Sequence, residues 1–379
     1  MSVARGKRPQ TEGADHIMPR RKDNSTALPG NIASSASKRP RRNATADITV
    51  GCLFAAIGGF AKAFEQNGAS VLWANEKDRF ASETFRANFP AVRQIHKPIE
   101  ELTVAGDSLE PVDVLTGGFP CQPFSIAGEA KGFKDDRGLL FLHIIRLIRE
   151  FGHRKPKILL LENVQNFKTH DKGRTFRRVQ SEIQKAGYWF SEKNSAILNT
   201  ATHTHIPQNR ARIFMVALST DHFSTNAFEF PEITPLSERY SVWDFIDLHE
   251  QKDQRYYFTP DSQYYDQFAA AIRESGDKSI YLLRRSYIRE NKSGTCFTLM
   301  ANMGEGGHNQ PVIKDKWGIR KLTPRECARL QGYEDDWFAI PRDLSHTQIY
   351  KQIGNSVTVP LIKKLAEECI RQLKVSAVT

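Results

Sequence analysis

Cysteine is scarce in this chain: Cys52, Cys121, Cys296, Cys327 and Cys369 are the five among 379 residues, and no two are spaced as C-x-x-C. That spacing excludes a zinc knuckle and a disulfide framework as organising devices, so no metal site is expected and the thiols are expected reduced. Long apolar runs are missing too. No uncharged stretch approaches bilayer length and no charged-then-apolar segment opens the chain, so a soluble intracellular protein with no membrane contact is expected. Acidic residues are outnumbered, 43 against 54 Lys and Arg, for a net charge of +11. Seven of those charges lie in residues 1–46, where ten Lys/Arg stand against Glu12, Asp15 and Asp23. With almost no apolar content to offset its ordering entropy, that stretch is expected to be disordered. Its charge suits nonspecific contact with a polyanion, and equally a solvated tail with no essential role. The cluster Lys38-Arg39-Pro40-Arg41-Arg42 resembles a nuclear-import signal, a pattern common to basic tails.

What is present is organised around Gly117–Ser125, reading GGFPCQPFS. Val112–Leu115 has strand composition, Gly117-Gly118 allows a tight exit, and Pro120 and Pro123 stiffen the loop beyond it, so Cys121 is presented at a strand end. A lone cysteine is more often a small buried apolar residue; the Gly-Gly and Pro-x-Gln-Pro flanks are not needed for that role. Upstream, Ile48–Phe54 reads as a strand, Ala55–Gly59 as a turn, Phe60–Asn67 as a helix and Ser70–Ala74 as a second strand ending in Asn75-Glu76. This is a nucleotide-binding βαβ unit with Glu76 placed to accept ribose hydroxyls. A nicotinamide dehydrogenase shows the same unit, usually with the full G-x-G-x-x-G that is missing here. The turn Ala55-Ala56-Ile57-Gly58-Gly59 suits a ligand without a pyrophosphate, such as S-adenosylmethionine.

Downstream, Gly138–Phe151 reads as a buried helix stopped before Pro156, and Lys157–Leu161 as a strand carrying Glu162-Asn163-Val164 at its end. Glu162 is then a candidate acid on the rim that carries Cys121, or a surface carboxylate paired with a nearby lysine. Arg210 and Arg212 alternate before the strand Ile213–Leu218 and are expected to point the same way. From Asp221 to about Asn291 the texture turns polar and aromatic with interleaved arginines (Arg284-Arg285, Tyr287, Arg289), which suits nucleic-acid contact. Gly304–Gly307 is a hinge candidate. Lys321–Gly332 reads as a helix with Thr323 as N-cap, Pro324 at its first position and Glu326 completing a capping box.

The ordered set GGFPCQPFS, ENV at Glu162–Val164, QNRAR at Gln208–Arg212, RKLTPRECARLQGY and GNSV resembles the DNA (cytosine-5) methyltransferases over roughly residues 47–372, in the type found in bacterial restriction-modification systems. The resemblance implies an α/β fold: a Rossmann-like S-adenosylmethionine-dependent methyltransferase sheet with a smaller inserted target-recognition domain. It divides the chain into a disordered basic tail (1–46), a catalytic and cofactor-binding domain (47–220), a target-recognition domain (221–318) and a return to the catalytic domain (319–379). It implies Cys121 as nucleophile, Glu162 as the group contacting the target base, and Arg210 and Arg212 as residues holding the site. Phe54, Ile57, Gly59, Glu76, Ile99, Pro120, Leu140, Asn355 and Val357 would line the S-adenosylmethionine pocket.

Four positions depart from the family pattern. Cys52 stands where an acid is usual, Ala56 where a glycine is, Lys77 where an aromatic commonly follows the ribose acid, and Pro98 where an acid precedes Ile99. The segment after Cys121, with Gly128, Lys131, Gly132, Lys134 and Arg137 but also Glu129, Asp135 and Asp136, is expected to close over extruded DNA. The implied substrate is a specific double-stranded DNA sequence, methylated by a monomer in a bacterial cytoplasm near the nucleoid, or in a nucleus if the source is eukaryotic. A tRNA cytosine-5 methyltransferase and a catalytically silent DNA-binding relative are the alternatives. Amino-methylating enzymes are disfavoured because their Asp/Asn-Pro-Pro-aromatic motif is missing.

Overall fold

A computed structural model of the chain describes residues 48–120, 140–275, 278–284, 287–305 and 308–376. The expectations for the tail, for Cys121 and the Gly128–Arg137 segment, for Arg285 and for Gly306-Gly307 lie outside the described residues.

The chain opens as alternating strand and helix: β1 (Thr49–Leu53), α1 (Gly59–Glu65), β2 (Ser70–Asn75), α2 (Arg79–Asn88), β3 (Arg93–Ile95), β4 (Val114–Gly118), α3 (Leu140–Phe151), β5 (Ile158–Val164), α4 (Arg174–Lys185). Next come β6 (Tyr188–Trp189), β7 (Ser195–Asn199), α5 (Thr200–His203) and β8 (Ala211–Ser219). Among the described residues these strands make one sheet in the order β3-β2-β1-β4-β5-β8-β6, with β7 also on β8. The pairs from β3 to β5 are parallel, while β8 runs antiparallel to β5, β6 and β7. Parallel central strands are covered on both faces, which is why residues 50–53 of β1 and 158–161 of β5 are all buried and do not alternate. α3 supplies much of one cover: Leu140, Phe141, Ile144, Ile145, Leu147, Ile148 and Phe151 are all buried. Each such side chain contributes roughly 1.5–3 kcal/mol of burial.

Two strands run further than the sequence pattern indicates. Gly117 and Gly118 stay in β4 because each pairs with β5, at Leu161 and Glu162, and Glu162 therefore sits within β5. Both glycines are strand residues, and Gly118 is the one opposed to a carboxylate.

After β8 come α6 (Tyr265–Ser275), β9 (Ile280–Arg284), β10 (Tyr287–Asn291), β11 (Pro311–Asp315) and β12 (Gly318–Lys321), and the four strands form a second, antiparallel sheet in the order β10-β9-β11-β12. Strand β12 runs across the boundary expected at residue 318. Alternation splits its core: Ile280, Leu282 and Ile313 join the core of the large sheet, whereas Tyr281, Leu283 and Val312 pack with Phe268 and Ile272 of α6. The chain closes with α7 (Pro324–Arg329), α8 (His346–Asn355) and α9 (Val359–Ser376). The capping box Thr323/Glu326 forms, and α7 is shorter than its pattern, with Gly332 beyond it at a φ of 78°. No helix among the described residues is long and apolar enough to cross a membrane.

Candidate active site

The carboxyl ends of β1, β2, β4 and β5 open on one cavity of about 690 Å³, a volume in the range of small-molecule sites. Pro120 and Leu140, the described residues on either side of the Cys121 segment, both line it. So do Glu162, Arg210 and Arg212, so the structure brings every described residue of the expected catalytic set to one place.

Their mutual geometry is set by the strands. Glu162 lies opposite Gly118 on one side and Phe214 of β8 on the other. Arg212, two positions along β8, forms an ion pair with Glu162, Nε to Oε1 at 3.1 Å. A β-carbon at Gly118 would come within 3.2 Å of Glu162 Oε2, so glycine there leaves the carboxylate its place. Asn163 turns its amide to the neighbouring strand, where Nδ2 donates to the Phe119 carbonyl at 2.9 Å. The chain is thereby pinned two residues before Cys121, and the Phe119 ring sits between Phe141 and Phe167 at 5.6 and 5.5 Å.

Arg210 does different work. Its guanidinium is buried and donates to the carbonyls of Leu299 (2.9 Å), Gly354 (3.0 Å) and Ser356 (2.6 Å). One side chain thus ties the segment after β10 to the carboxyl end of α8 at the cavity wall. Burial pushes the Glu162 carboxyl above the ordinary carboxylate range, with Arg212 and Arg210 opposing the shift. Burial pulls Arg210 down, Arg212 adds to that, and Glu162 opposes it. The site is a buried acid of raised proton affinity between two guanidinium groups, suited to donating a proton to, or sharing one with, a neutral base.

On the β1/β2 side, Glu76 Oε2 accepts from the Ala56 amide at 2.9 Å and Oε1 from the Asp78 amide at 2.8 Å. Burial raises this carboxyl too, and the backbone amides oppose it. The turn it holds contains Phe54 and Ala56 at φ of 51° and 47°, a left-handed backbone rarely adopted by residues with a side chain. Phe54, Glu76, Pro120, Leu140 and Asn355 line the cavity, and Ile99 lines a recess shared with Phe54, Glu76 and Leu140. Ile57, Gly59 and Val357 are buried in the adjoining core, where a β-carbon on Gly59 would strike Val357 Cγ2 at 2.7 Å. Apolar walls beside a carboxylate with spare lone pairs fit an adenosine, its ring between the walls and its ribose hydroxyls on the acid. Among the described residues no group of three His, Cys, Asp or Glu is placed to hold a metal.

Sequence reasoning missed Asn163, Asp78 and Lys351. Asn163 sat in the ENV triplet beside the glutamate that drew attention. Asp78 caps α2 through Ala81 and pairs with Lys351 of α8 at 3.1 Å; both line the cavity. For Lys351 the only signal was its place three residues before the GNSV motif.

A family model described as C-5 cytosine-specific DNA methylase matches residues 48–371. Type II methyltransferase M.Bsp6I of Bacillus sp. (strain RFL6) is 41% identical over 331 residues, 86% of this chain and 99% of that protein. Type II methyltransferase M.HhaI of Haemophilus parahaemolyticus is 35% identical over 332 residues, 83% of this chain and 91% of that one. Among solved structures, that of S. pombe Dnmt2 methyltransferase matches with a TM-score of 0.67 at 20% identity, covering 86% of this chain and 99% of its own, a likeness of fold.

Proposed function

The chain belongs to the C-5 cytosine-specific DNA methylase family, and on that premise we propose that this DNA cytosine-5 methyltransferase works through Cys121, Glu162, Arg210 and Arg212, as a single chain on a defined duplex sequence. The observation that carries the assignment is the convergence of Glu162, its two arginines and Pro120, the residue before Cys121, on one cavity at the sheet's carboxyl rim.

Carbon 5 of cytosine is a weak nucleophile, and addition of the Cys121 thiolate to carbon 6 moves an electron pair onto carbon 5. Glu162 hydrogen-bonds ring nitrogen 3 and the exocyclic amine, stabilising the charge that develops on the ring. Arg212 holds the carboxyl in register, and Arg210 fixes the wall behind it. After carbon 5 gains the methyl group it loses its proton, the carbon 6–sulfur bond breaks, and the ring regains aromaticity. The base reaches the cavity only by leaving the stack, at a cost of roughly a few kcal/mol.

S-adenosylmethionine, the family's methyl donor, supplies the electrophilic methyl group when bound. Phe54, Ile99 and Leu140 would pack its adenine, Glu76 would accept its ribose hydroxyls, and Asn355 would close the far wall. The departures at Cys52, Ala56, Lys77 and Pro98 leave these residues in place.

Duplex DNA carrying 5-fluorocytosine at the target tests the covalent step, because fluorine cannot leave as a proton does. With S-adenosylmethionine, one chain per duplex is expected to remain attached through denaturing electrophoresis. The adduct is expected to be lost in Cys121→Ser and kept in Cys52→Ser, Cys296→Ser, Cys327→Ser and Cys369→Ser. Attachment through another cysteine would overturn the assignment of the nucleophile, and an adduct on tRNA but never on duplex DNA would overturn the substrate.

A further inference from the structure

Helix α8 lines two cavities of different character. At its carboxyl end, Gly354 and Asn355 line the active-site cavity, where Glu76, Asp78, Glu100 and Glu162 stand among Lys77, Arg210, Arg212 and Lys351. Four acids against four cations suit a ligand of little net charge. At its amino end, His346 and Thr347 line a second cavity of about 490 Å³ with Arg255, Lys321, Arg342 and Tyr256, and none of its described lining residues is acidic.

The cations there are largely uncompensated. Arg255 is paired with Asp253 at 2.9 Å, and Glu305 and Asp343 adjoin lining residues in the chain. Among the described residues, however, neither Lys321 nor Arg342 is paired with a carboxylate. Lys321 is half-buried with its ammonium 5.3 Å over the Phe258 ring, and burial alone pulls its proton affinity down. An ammonium half out of water without a counter-ion is a costly arrangement that an anion would relieve. The pocket is also braced: Tyr256 and His346 stack with ring centroids 5.4 Å apart, Tyr256 Oη lies 3.0 Å from His346 Nδ1, and Thr347 Oγ1 donates to the Gly304 carbonyl at 3.1 Å.

We propose that this second cavity, lined by Arg255, Lys321, Arg342 and His346, binds a backbone phosphate of the DNA substrate to one side of the target base. It rests on the duplex-DNA reading above and adds a contact to it. Such a contact positions the duplex and carries no sequence information.

The test is binding, not turnover. Each phosphate neutralised contributes about 0.9 to the slope of log affinity against log salt. For a 30-base-pair duplex, the Lys321→Gln/Arg342→Gln double variant is expected to show a slope shallower than wild type by about 0.9, so that its affinity deficit shrinks roughly threefold between 50 and 200 mM salt. Calorimetric binding of S-adenosylmethionine is expected to stay the same. Should the double variant unfold early, Arg342→Gln alone, an exposed side chain, is expected to make the slope shallower by roughly half as much. An unchanged slope on that duplex, with wild-type methylation intact, overturns the pocket assignment alone. So does binding of inorganic phosphate that the variants lose while their DNA slope stays the same, which would make the cavity a site for a free anion. Wild-type protein with no affinity for duplex DNA at all would overturn the duplex reading as well.

Discussion

On the β1/β2 side of the active-site cavity the groups held in place are mostly backbone, whereas on the β4/β5/β8 side they are side-chain charges. Glu76 accepts two backbone amides and holds a turn whose shape, with φ of 51° at Phe54 and 47° at Ala56, matters more than its side chains. Opposite, Glu162 is held by Arg212, and Arg210 clasps three carbonyls from two other segments. All four departures from the family pattern, Cys52, Ala56, Lys77 and Pro98, fall on or beside the backbone-built side. Cys52 is not among the residues lining the cavity: it is buried in β1, its thiol is pushed up to about 12 by burial, and its hydrogen-bond partner is Thr116 in the core. A construction that relies on main-chain groups survives a change of side chain; one made of paired charges does not.

Arg210→Ala should break the side-chain half most completely. It would strip the carbonyls of Leu299, Gly354 and Ser356 of their buried donor, and removing one partner of a buried charged network costs about 3–5 kcal/mol. Denaturant titration should show that loss, and a loss under about 1 kcal/mol would mean those carbonyls find other donors. Glu162→Gln comes next. It keeps the shape but cannot be protonated to donate as a carboxyl does, so single-turnover methylation should slow by about 10²-fold. Burial fixes the sign of the pH effect. A carboxyl whose proton affinity is raised stays protonated into higher pH, so the wild-type rate should fall as pH rises through the raised value. The Gln variant should lose that descending limb. A descending limb that persists in Glu162→Gln belongs to another group.

The two halves also differ in how far the residues alone reveal them. The β1-α1-β2 unit was legible because apolar periodicity, a glycine turn and a terminal acid are local signals, and β1 and β2 form within a residue or so of their expected ends. Glu162 was legible as a residue but not in its setting. Its place inside β5 comes from cross-strand pairing with Gly118, a long-range fact that strand composition does not carry. Arg210 and Arg212 were expected to point together, and both do reach the cavity. That one is an ion-pair partner and the other a buried clasp depends on Leu299, Gly354 and Ser356, between 89 and 146 positions away. Lys351 and Asp78 were invisible for the same reason, since their pairing spans 273 positions.

Glu76→Gln sharpens the comparison from the other side. The amide can accept from only one of the two backbone N–H groups and presents a donor to the second, so the Ala56 turn should loosen without any change in the catalytic pairings. S-adenosylmethionine affinity measured by calorimetry should weaken about tenfold, which is about 1.4 kcal/mol, while the Glu162-dependent descending limb stays where it is. A shift of that limb would show that the two halves are coupled through the cavity.

The smallest effect belongs to Ala56→Gly, and it is the most direct test of whether that half is built from backbone. A left-handed conformation costs a residue bearing a β-carbon about 1–2 kcal/mol, and glycine at φ of 47° avoids that cost. Glycine also gives the unfolded chain more freedom, which takes back about 0.4–1 kcal/mol. The net is a gain of about 0.5 kcal/mol, a rise of roughly 1 °C in melting temperature. The Ala56 amide that donates to Glu76 at 2.9 Å is present in glycine as well, so cofactor affinity should stay within about twofold of wild type. A tenfold change in affinity, in either direction, would mean that the Ala56 methyl group itself touches the ligand. The division between a backbone-built half and a side-chain-built half would then fail at the turn where it was drawn most clearly.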